Sequence, residues 1–373
     1  MQTYYQSCVE DRNTEEGELA AVLDKLAEIG GWPLYTDSTW RPESFKWNEY
    51  IAKLGADGYN YEFFFTVYQN IIVDTYLMEL QSPALGISNS FLRRGLNYKA
   101  VSSYFNRTKA AILDLFPELS TAENGDLPEY TEKEIEDIIS FEVSLAKLIP
   151  DDASFDWEAY VNMSENNNVT FKDLNDYADW GFKWNEMLSA AFGGETVFTE
   201  SMPVMLDWTA LGSDLFNLLE KTPPRTLANF IGWSVVKNSL KYLGNKGRRV
   251  LKALSDANPG KKKEPEDPIW YACMKTVGLG SFNPYDTFQI LAAHLLATHY
   301  FPESSRETLG EMMVDMKHSM RQLIEQAEWM DFETRFNALD KLDAMKVVPG
   351  YPLELLSTDR ILDLYGGIKL QVC

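Results

Sequence analysis

Apolar residues recur at intervals of three and four along most of the chain, which is the spacing of an amphipathic α-helix. A first helix is predicted over 13–29, and Gly30-Gly31-Trp32-Pro33 ends it. Its apolar face consists of Leu19, Val22, Leu23 and Leu26. The same periodicity predicts further helices over 46–54, 101–116, 131–149, 156–161, 171–177, 180–192, 202–219, 225–243, 269–279, 284–300, 304–327, 331–345 and 357–365.

Two segments break this period. Residues 61–67 and 75–81 are rich in aromatic and β-branched residues and have the length of strands, so they predict a small antiparallel pair. Pro83 and Gly86 follow the second segment and close the pair. The predicted fold class is therefore mainly α, a multi-helix domain with one small antiparallel β-hairpin near the N-terminal third.

The two longest predicted helices meet at Trp329. Ser304 and Glu307 have the spacing of a capping box, and Asp331 is a good N-cap residue for the second helix. The first helix carries an apolar seam of Leu309, Met313, Met316, Met320, Leu323 and Ala327. The second is predicted to bury one face made of Phe332, Phe336, Leu339, Leu342 and Met345. This pattern predicts an antiparallel or crossed helix pair that the rest of the chain covers.

The composition is that of a folded protein. The chain has 373 residues, of which 45% are hydrophobic and 13% aromatic. No apolar run approaches the roughly 20 residues that a bilayer span requires. The first residues, Met1-Gln2-Thr3-Tyr4-Tyr5-Gln6, show no signal peptide, which leaves two explanations open, a mature chain or an incomplete gene model.

The net charge of −22 argues against a nucleic-acid partner and against anionic membrane surfaces. A basic run over 237–252 and the triplet Lys261-Lys262-Lys263 are local exceptions. A solvated helix end and an exposed loop explain them better than a phosphate site does.

The three histidines, His294, His299 and His318, do not have the spacing of zinc ligands. His294 and His299 are five residues apart, so their rings diverge by about 140° around a helix. A zinc-peptidase helix requires His-Glu-x-x-His. No nucleophile elbow or phosphate-binding loop is present, and Gly278-Leu279-Gly280 does not follow a strand. The residues therefore predict no catalytic group and no metal ligand.

Two smaller features concern processing. The three cysteines, Cys8, Cys273 and Cys373, allow at most one internal disulfide. Three Asn-x-Ser/Thr sequons, at Asn106, Asn162 and Asn168, are candidate glycosylation sites and favour a secretory origin.

Seven short stretches, in order and across nearly the whole chain, resemble the neprilysin and endothelin-converting-enzyme family of zinc metallopeptidases, specifically its N-terminal non-catalytic region. They are Tyr5-Gln6-Ser7-Cys8, Gly30-Gly31-Trp32-Pro33, Gln81-Ser82-Pro83-Ala84-Leu85-Gly86, Phe141-Glu142 with Leu145-Ala146, Leu227-Ala228-Asn229-Phe230-Ile231-Gly232-Trp233, 270–273, and Trp329-Met330-Asp331 with Thr334, Ala338, Lys341 and Gly350-Tyr351-Pro352.

The resemblance implies that residues 1–373 form the helical cap of a peptide-cleaving ectoenzyme, membrane-anchored or secreted, and that this cap encloses and size-restricts the active-site cavity. It also implies a Cys8–Cys273 disulfide. The family's His-Glu-x-x-His helix and zinc belong to a catalytic domain that this chain does not match, so no catalytic residue, metal ligand or cofactor is carried over. Peptide substrates would be bound only through that domain.

Three hypotheses remain from the sequence. The chain is a fragment of a neprilysin-like peptidase, a stand-alone, catalytically dead protein that binds peptides as a secreted decoy, or an unrelated helical scaffold. A cap without its catalytic domain is predicted to expose an apolar patch on the order of several hundred Å². It is also predicted to hydrolyse no peptide in a chelator-sensitive manner on its own.

Overall fold

The computed structural model describes residues 2–13, 19–36, 40–72, 75–120, 128–149, 169–176, 183–194, 197–206, 213–256, 267–276 and 288–366. Helices dominate, which confirms the mainly α fold class. They are α1 (Gln2–Asn13), α2 (Leu19–Ile29), α3 (Pro33–Thr36), α4 (Trp47–Ala56), α5 (Asn89–Leu92), α6 (Lys99–Leu115), α7 (Glu129–Leu148), α8 (Phe171–Asp176), α9 (Trp184–Ala191), α10 (Ser213–Lys221), α11 (Pro224–Ser239), α12 (Gly244–Ser255), α13 (Ile269–Thr276), α14 (Gln289–His299), α15 (Glu303–Glu325), α16 (Phe332–Ala344) and α17 (Thr358–Tyr365).

The helix at the N-terminus was not predicted. Helix α1 is polar and has no apolar face, so its sequence carries no periodic signal. The helix predicted over 13–29 is described only from Leu19 to Ile29, where the four predicted apolar residues lie. The short helix predicted over 156–161 lies outside the described residues.

The predicted antiparallel hairpin is confirmed. Strand β1 (Thr66–Ile72) pairs with β2 (Thr75–Gln81), with Thr66 opposite Gln81. The predicted start of β1 at residue 61 is wrong. Phe63, Phe64 and Phe65 are buried in succession, whereas a half-buried strand alternates buried and exposed positions.

A third strand joins this sheet. Strand β3 (Val204–Leu206) pairs with β2 in parallel, which gives the order β1-β2-β3. The helix predicted over 202–219 is therefore wrong at its start, and helix α10 is described from Ser213, since 207–212 lie outside the described residues. Three apolar residues fit either period, so pairing with a distant strand decided the outcome.

The chain divides into two compact units. Unit 1 comprises Met1–Val9 and Glu266–Cys373, and unit 2 comprises Glu10–Pro265. Unit 2 is thus an insertion, in chain order, between the two parts of unit 1.

Unit 2 has a dense aromatic core. The rings of Phe64, Phe141 and Phe230 pack together, with centroids of Phe141 and Phe230 4.9 Å apart. Trp32, Trp184 and Trp233 are also fully buried in this unit. Each large side chain buried in this way stabilises the fold by about 1.5–3 kcal/mol.

The helix predicted over 225–243 ends at Ser239. A 3₁₀ turn (Leu240–Tyr242) follows it, and helix α12 then begins at Gly244. Gly247 lies against the turn, because a Cβ there would be 2.6 Å from the Leu240 carbonyl oxygen. The basic run over 237–252 begins at Lys237 in the last turn of α11 and continues through this turn into α12, whose Val250 and Leu254 are buried.

Unit 1 contains the predicted helix pair, α15 and α16, which pack against each other. The Asp331 N-cap is confirmed, because its carboxylate accepts the Thr334 amide proton at 2.8 Å. The capping box at Ser304 is wrong. Helix α15 begins one residue earlier, after the N-cap Pro302, and Ser304 makes no cap bond.

The predicted buried face of α16 is wrong at three of its five residues. Leu342 is buried and Leu339 is half-buried, but Phe332, Phe336 and Met345 are exposed. Helix α15 covers one side of α16, and within the described part of the chain no element covers the rest.

Candidate functional site

Two of the stretches that carry the family resemblance contact each other in unit 2. The Leu34 amide, just after Trp32-Pro33, donates to the Asn229 side-chain oxygen at 2.7 Å. Asn229 is 1% exposed. Its side-chain nitrogen donates to the Glu134 carboxylate, which also pairs with Arg225. Asn229 therefore joins α3, α7 and α11. Because it is buried, a side chain at this position that could not form these hydrogen bonds would leave buried polar groups unpaired.

Two other stretches meet at Glu142. Its carboxylate, 2% exposed, accepts the Gly86 amide proton at 2.5 Å. Tyr104 donates to the same carboxylate, and burial, followed by this negative charge, holds the pKa of Tyr104 well above its ordinary value. A Cβ at Gly86 would overlap the Tyr104 hydroxyl. Gly86 and Glu142 are therefore structural partners that hold the loop after β2 against α6 and α7.

The last stretch of the resemblance shapes unit 1. Tyr351 is buried, and its ring packs edge-on against Phe301 with centroids 5.6 Å apart. Gly350 has a φ of 74°, which favours glycine over other residues. The contact between Tyr351 and Phe301 holds the segment after α16 against the start of α15.

The cysteines Cys8 of α1 and Cys273 of α13 are joined by a disulfide, with Cα atoms 5.8 Å apart. Both lie in unit 1, so the bond closes a loop that contains all of unit 2.

Asn106 is exposed on α6, whereas Thr108 of the same sequon is fully buried. The hydroxyl that a glycosylating enzyme must reach is therefore covered in the folded protein. Use of this sequon stays a prediction, and it requires modification before folding. Asn162 and Asn168 lie outside the described residues.

Unit 1 exposes an unusual number of large apolar side chains. Trp329 is 80% exposed, Phe332 84% and Phe336 62%. A second set at helical spacing on α15 is also exposed: Met312, Met316, Met320 and Leu323. Few described side chains of unit 1 are buried, among them Ile324, Leu342, Tyr351 and Ile361. A unit with such a small core and so large an apolar surface is typical of a partner-binding region.

The sequence itself matches the model of peptidase family M13 over residues 1–352, which is nearly the whole chain. The chain belongs to peptidase family M13.

Its M13 relatives are considerably longer than the part that this chain matches. Neprilysin-2 of Drosophila melanogaster is 24% identical over 358 residues, covering 93% of this chain and 44% of the relative. Endothelin-converting enzyme 1 of Bos taurus is 21% identical, covering 98% of this chain and 46% of the relative. The chain thus spans less than half the length of these relatives.

Solved structures share the fold. The zinc metalloprotease Zmp1 of Mycobacterium tuberculosis, in its open state, superposes with a TM-score of 0.66 at 17% identity, covering 92% of this chain and 48% of that one. PepO of Lactobacillus rhamnosis gives a TM-score of 0.61 at 14% identity, covering 92% and 49%.

The histidines of this M13 chain are dispersed. His294 Nδ1 lies 2.5 Å from the Leu355 carbonyl oxygen, and His318 contacts Gln322 on α15. His299 packs against Tyr300. Among the described residues, no group of three or more His, Cys, Asp or Glu side chains is arranged to hold a metal ion. These residues do not fit a zinc site, so we derive no zinc-dependent step from them.

No helix in the described ranges has the length and apolarity that crossing a membrane demands.

Sequence reasoning identified Asn229, Gly86 and Glu142 only through the resemblance. It missed Glu134 and Tyr104, whose roles depend on partners far away in the chain. It also missed Glu62 and Lys237, which both line a cavity in unit 2 that is described below. No local pattern marks these four residues.

Proposed function

We propose that this chain is the helical, non-catalytic region of an M13 peptidase that cleaves peptides. In this proposal the apolar face of unit 1, defined by Trp329, Phe332, Phe336 and the α15 stripe from Met312 to Leu323, docks on the family's zinc-containing catalytic domain. The observation that carries the proposal is the exposure of this face in a chain that matches the family over 1–352.

The energetics favour a permanent partner. Burying each exposed phenylalanine fully would contribute about 1.5–3 kcal/mol. Phe332 and Phe336 are one helical turn apart, so a single partner surface can cover both. Leaving the whole face in water would favour aggregation.

The occupant is proposed from chain length. More than half of each matched relative lies outside the part that this chain covers. That uncovered part is the natural partner for an uncovered apolar face. The size restriction of peptide substrates, and an extracellular location, follow from the resemblance to neprilysin and endothelin-converting enzymes, and both belong to this proposal.

A chimera tests the proposal. Residues 1–366 are joined to the part of Drosophila Neprilysin-2 that the match leaves uncovered, and hydrolysis of a short fluorogenic peptide is measured with and without a zinc chelator. We expect chelator-sensitive hydrolysis by the chimera and none by the present chain alone. Chelator-sensitive turnover by the chain alone would refute its non-catalytic role.

Matched variants test the docking face. Phe332→Ser with Phe336→Ser should lower the activity of the chimera strongly, because docking loses roughly 3–6 kcal/mol from two phenylalanines. Tyr130→Ser with Val197→Ser, at exposed positions of unit 2, serves as the control and should leave activity unchanged. Equal activity of both double variants would show that docking does not use this face.

The alternative, a stand-alone peptide-binding decoy, makes a different prediction. The purified chain would then bind short bioactive peptides in a calorimetric titration without cleaving them. The Phe332→Ser, Phe336→Ser variant would also lose that binding if the apolar face were the peptide site.

A further inference from the structure

Unit 2 contains a cavity of about 340 Å³, and the residues that line it belong to this unit. It lies between the loop before β1, the loop after β2, the second half of α11 and the end of α12. A volume of this size is within the range of small-molecule sites. The lining combines apolar and charged side chains, including Phe230, Leu254, Glu62 and Lys237.

Glu62 supplies a negatively charged carboxylate with one oxygen available to accept a hydrogen bond. Its Oε1 accepts the Val67 amide proton at 2.7 Å, and within the described ranges its other oxygen has no partner. Glu62 is half-buried and forms no ion pair with a described residue. A carboxylate held in this way favours a cationic hydrogen-bond donor at its free oxygen.

Lys237 supplies the opposite charge. It stands in the last turn of α11 and is half-buried, and its ammonium group forms no ion pair or hydrogen bond with any described residue. Lys133 and Lys183, by contrast, each pair with neighbouring carboxylates on the surface. Lys237 and Glu62 line one cavity but form no ion pair with each other.

The second carboxylate of the lining, Glu142, does not compete for a ligand. Glu142 already accepts protons from Gly86 and Tyr104, so it belongs to the wall. The apolar part of the lining includes Phe230 and Leu254, which are 5% and 7% exposed, and the half-buried Leu251. The cavity therefore offers one anion, one cation and an apolar surface.

We propose that this cavity binds a free α-amino acid with an apolar side chain. The ligand's ammonium group bonds to the free oxygen of Glu62, its carboxylate bonds to Lys237 Nζ, and its side chain packs on Phe230 and Leu254. A zwitterion satisfies both unmatched charges at once, which neither a simple amine nor a simple carboxylic acid does. This site is independent of the proposed peptidase role.

Calorimetric titration of the full chain with L-leucine tests the assignment. We expect saturable binding of L-leucine. We expect at least tenfold weaker binding of 4-methylpentanoate, which lacks the ammonium group, and of L-leucinamide, which lacks the carboxylate. A charged hydrogen bond contributes about 1.5–3 kcal/mol, which corresponds to tenfold or more in affinity.

Substitutions of the two charged lining residues test whether L-leucine binds in this cavity. Glu62→Gln and Lys237→Gln should each weaken L-leucine binding at least tenfold. Glu43→Gln and Lys241→Gln, at exposed positions outside the cavity, are the matched controls and should leave it unchanged. If a cavity variant fails to fold, the three ligands on the unaltered chain still decide the question.

Four results would overturn the proposal that the cavity binds a free amino acid. Absence of binding up to about 10 mM L-leucine, where even a millimolar site would be largely filled, would refute the proposal. So would equal affinity for 4-methylpentanoate and L-leucine, or cavity variants that bind as the parent does. Tighter binding of the dipeptide Leu-Leu than of L-leucine would overturn the assignment to a free amino acid.

Discussion

The indole ring of Trp32 occupies the place where a side chain at position 232 would begin. Gly232 lies in the middle of α11, and a Cβ there would overlap Trp32 Cδ1. The glycine thus allows the Gly-Gly-Trp-Pro turn to pack directly on the backbone of α11, and Trp32 is 1% exposed as a result.

Gly232→Ala is therefore expected to destabilise the protein by about 1–3 kcal/mol, because the tryptophan must move within a close-packed core. Gly310→Ala is the control. It lies within α15, and its nearest neighbour would be Pro349 Cγ at 3.8 Å, so it should stabilise by about 0.5–1 kcal/mol. Urea unfolding followed by circular dichroism measures both. A neutral Gly232→Ala would contradict the packing argument.

Asn229→Ala should cost about 1–3 kcal/mol of unfolding free energy. The substitution leaves the Leu34 amide without its acceptor in a buried place and removes one donor to Glu134. Asn337→Ala, at an exposed position of α16, should change the free energy by less than about 0.5 kcal/mol. If the two variants unfold at the same urea concentration, the Asn229 bonds contribute no net stability.

Removal of the disulfide should act on unit 1. Cys8→Ser with Cys273→Ser opens a loop of 265 residues, for which the chain-entropy model gives an upper limit of roughly 5 kcal/mol. The loss of unfolding free energy should be smaller while unit 2 stays folded, because the residues of a folded unit 2 have little chain entropy for the disulfide to restrict.

Limited proteolysis with mass spectrometry checks this expectation. Cleavage within 288–366 should accelerate in the double variant, whereas cleavage within 213–256 should not. Cys373→Ser, the third cysteine, is the control and should behave as the parent. Faster cleavage of both units would mean that the disulfide also supports unit 2.

Glu62 makes stability depend on pH. Burial raises the pKa of Glu62 above its ordinary value of 4.5, and the bond from the Val67 amide opposes this less strongly. The folded protein therefore holds this proton more tightly than the unfolded chain does. The resulting contribution to stability is complete below pH 4.5 and is lost as pH rises through the folded pKa.

Glu62→Gln should accordingly be more stable than the parent at pH 7, and the difference should vanish as pH falls below 4.5. Thermal unfolding at a series of pH values, without added amino acid, gives the measurement. Glu43→Gln, at an exposed position, should differ from the parent by less than about 0.5 kcal/mol throughout. A Glu62→Gln variant that is less stable than the parent at pH 7 would reverse the sign of the argument.

The sequence by itself determined the local structure of this protein. The helical spacing of apolar residues placed most helices, the aromatic segments placed β2, and Asp331 marked the start of α16. Each of these features depends on neighbours within a few residues, so a single stretch of chain contains the whole signal. The family resemblance likewise rested on short stretches such as 227–233.

Only the tertiary structure decided which apolar faces are covered. Phe141 and Phe336 both lie on regular helices, yet the first is buried in unit 2 and the second is 62% exposed in unit 1. The parallel strand β3, the Gly86–Glu142 contact and the cavity between Glu62 and Lys237 likewise join residues far apart in the chain. Spacing fixes the face of a helix on which a residue lies, but burial depends on what packs against that face, and that partner is set by distant contacts.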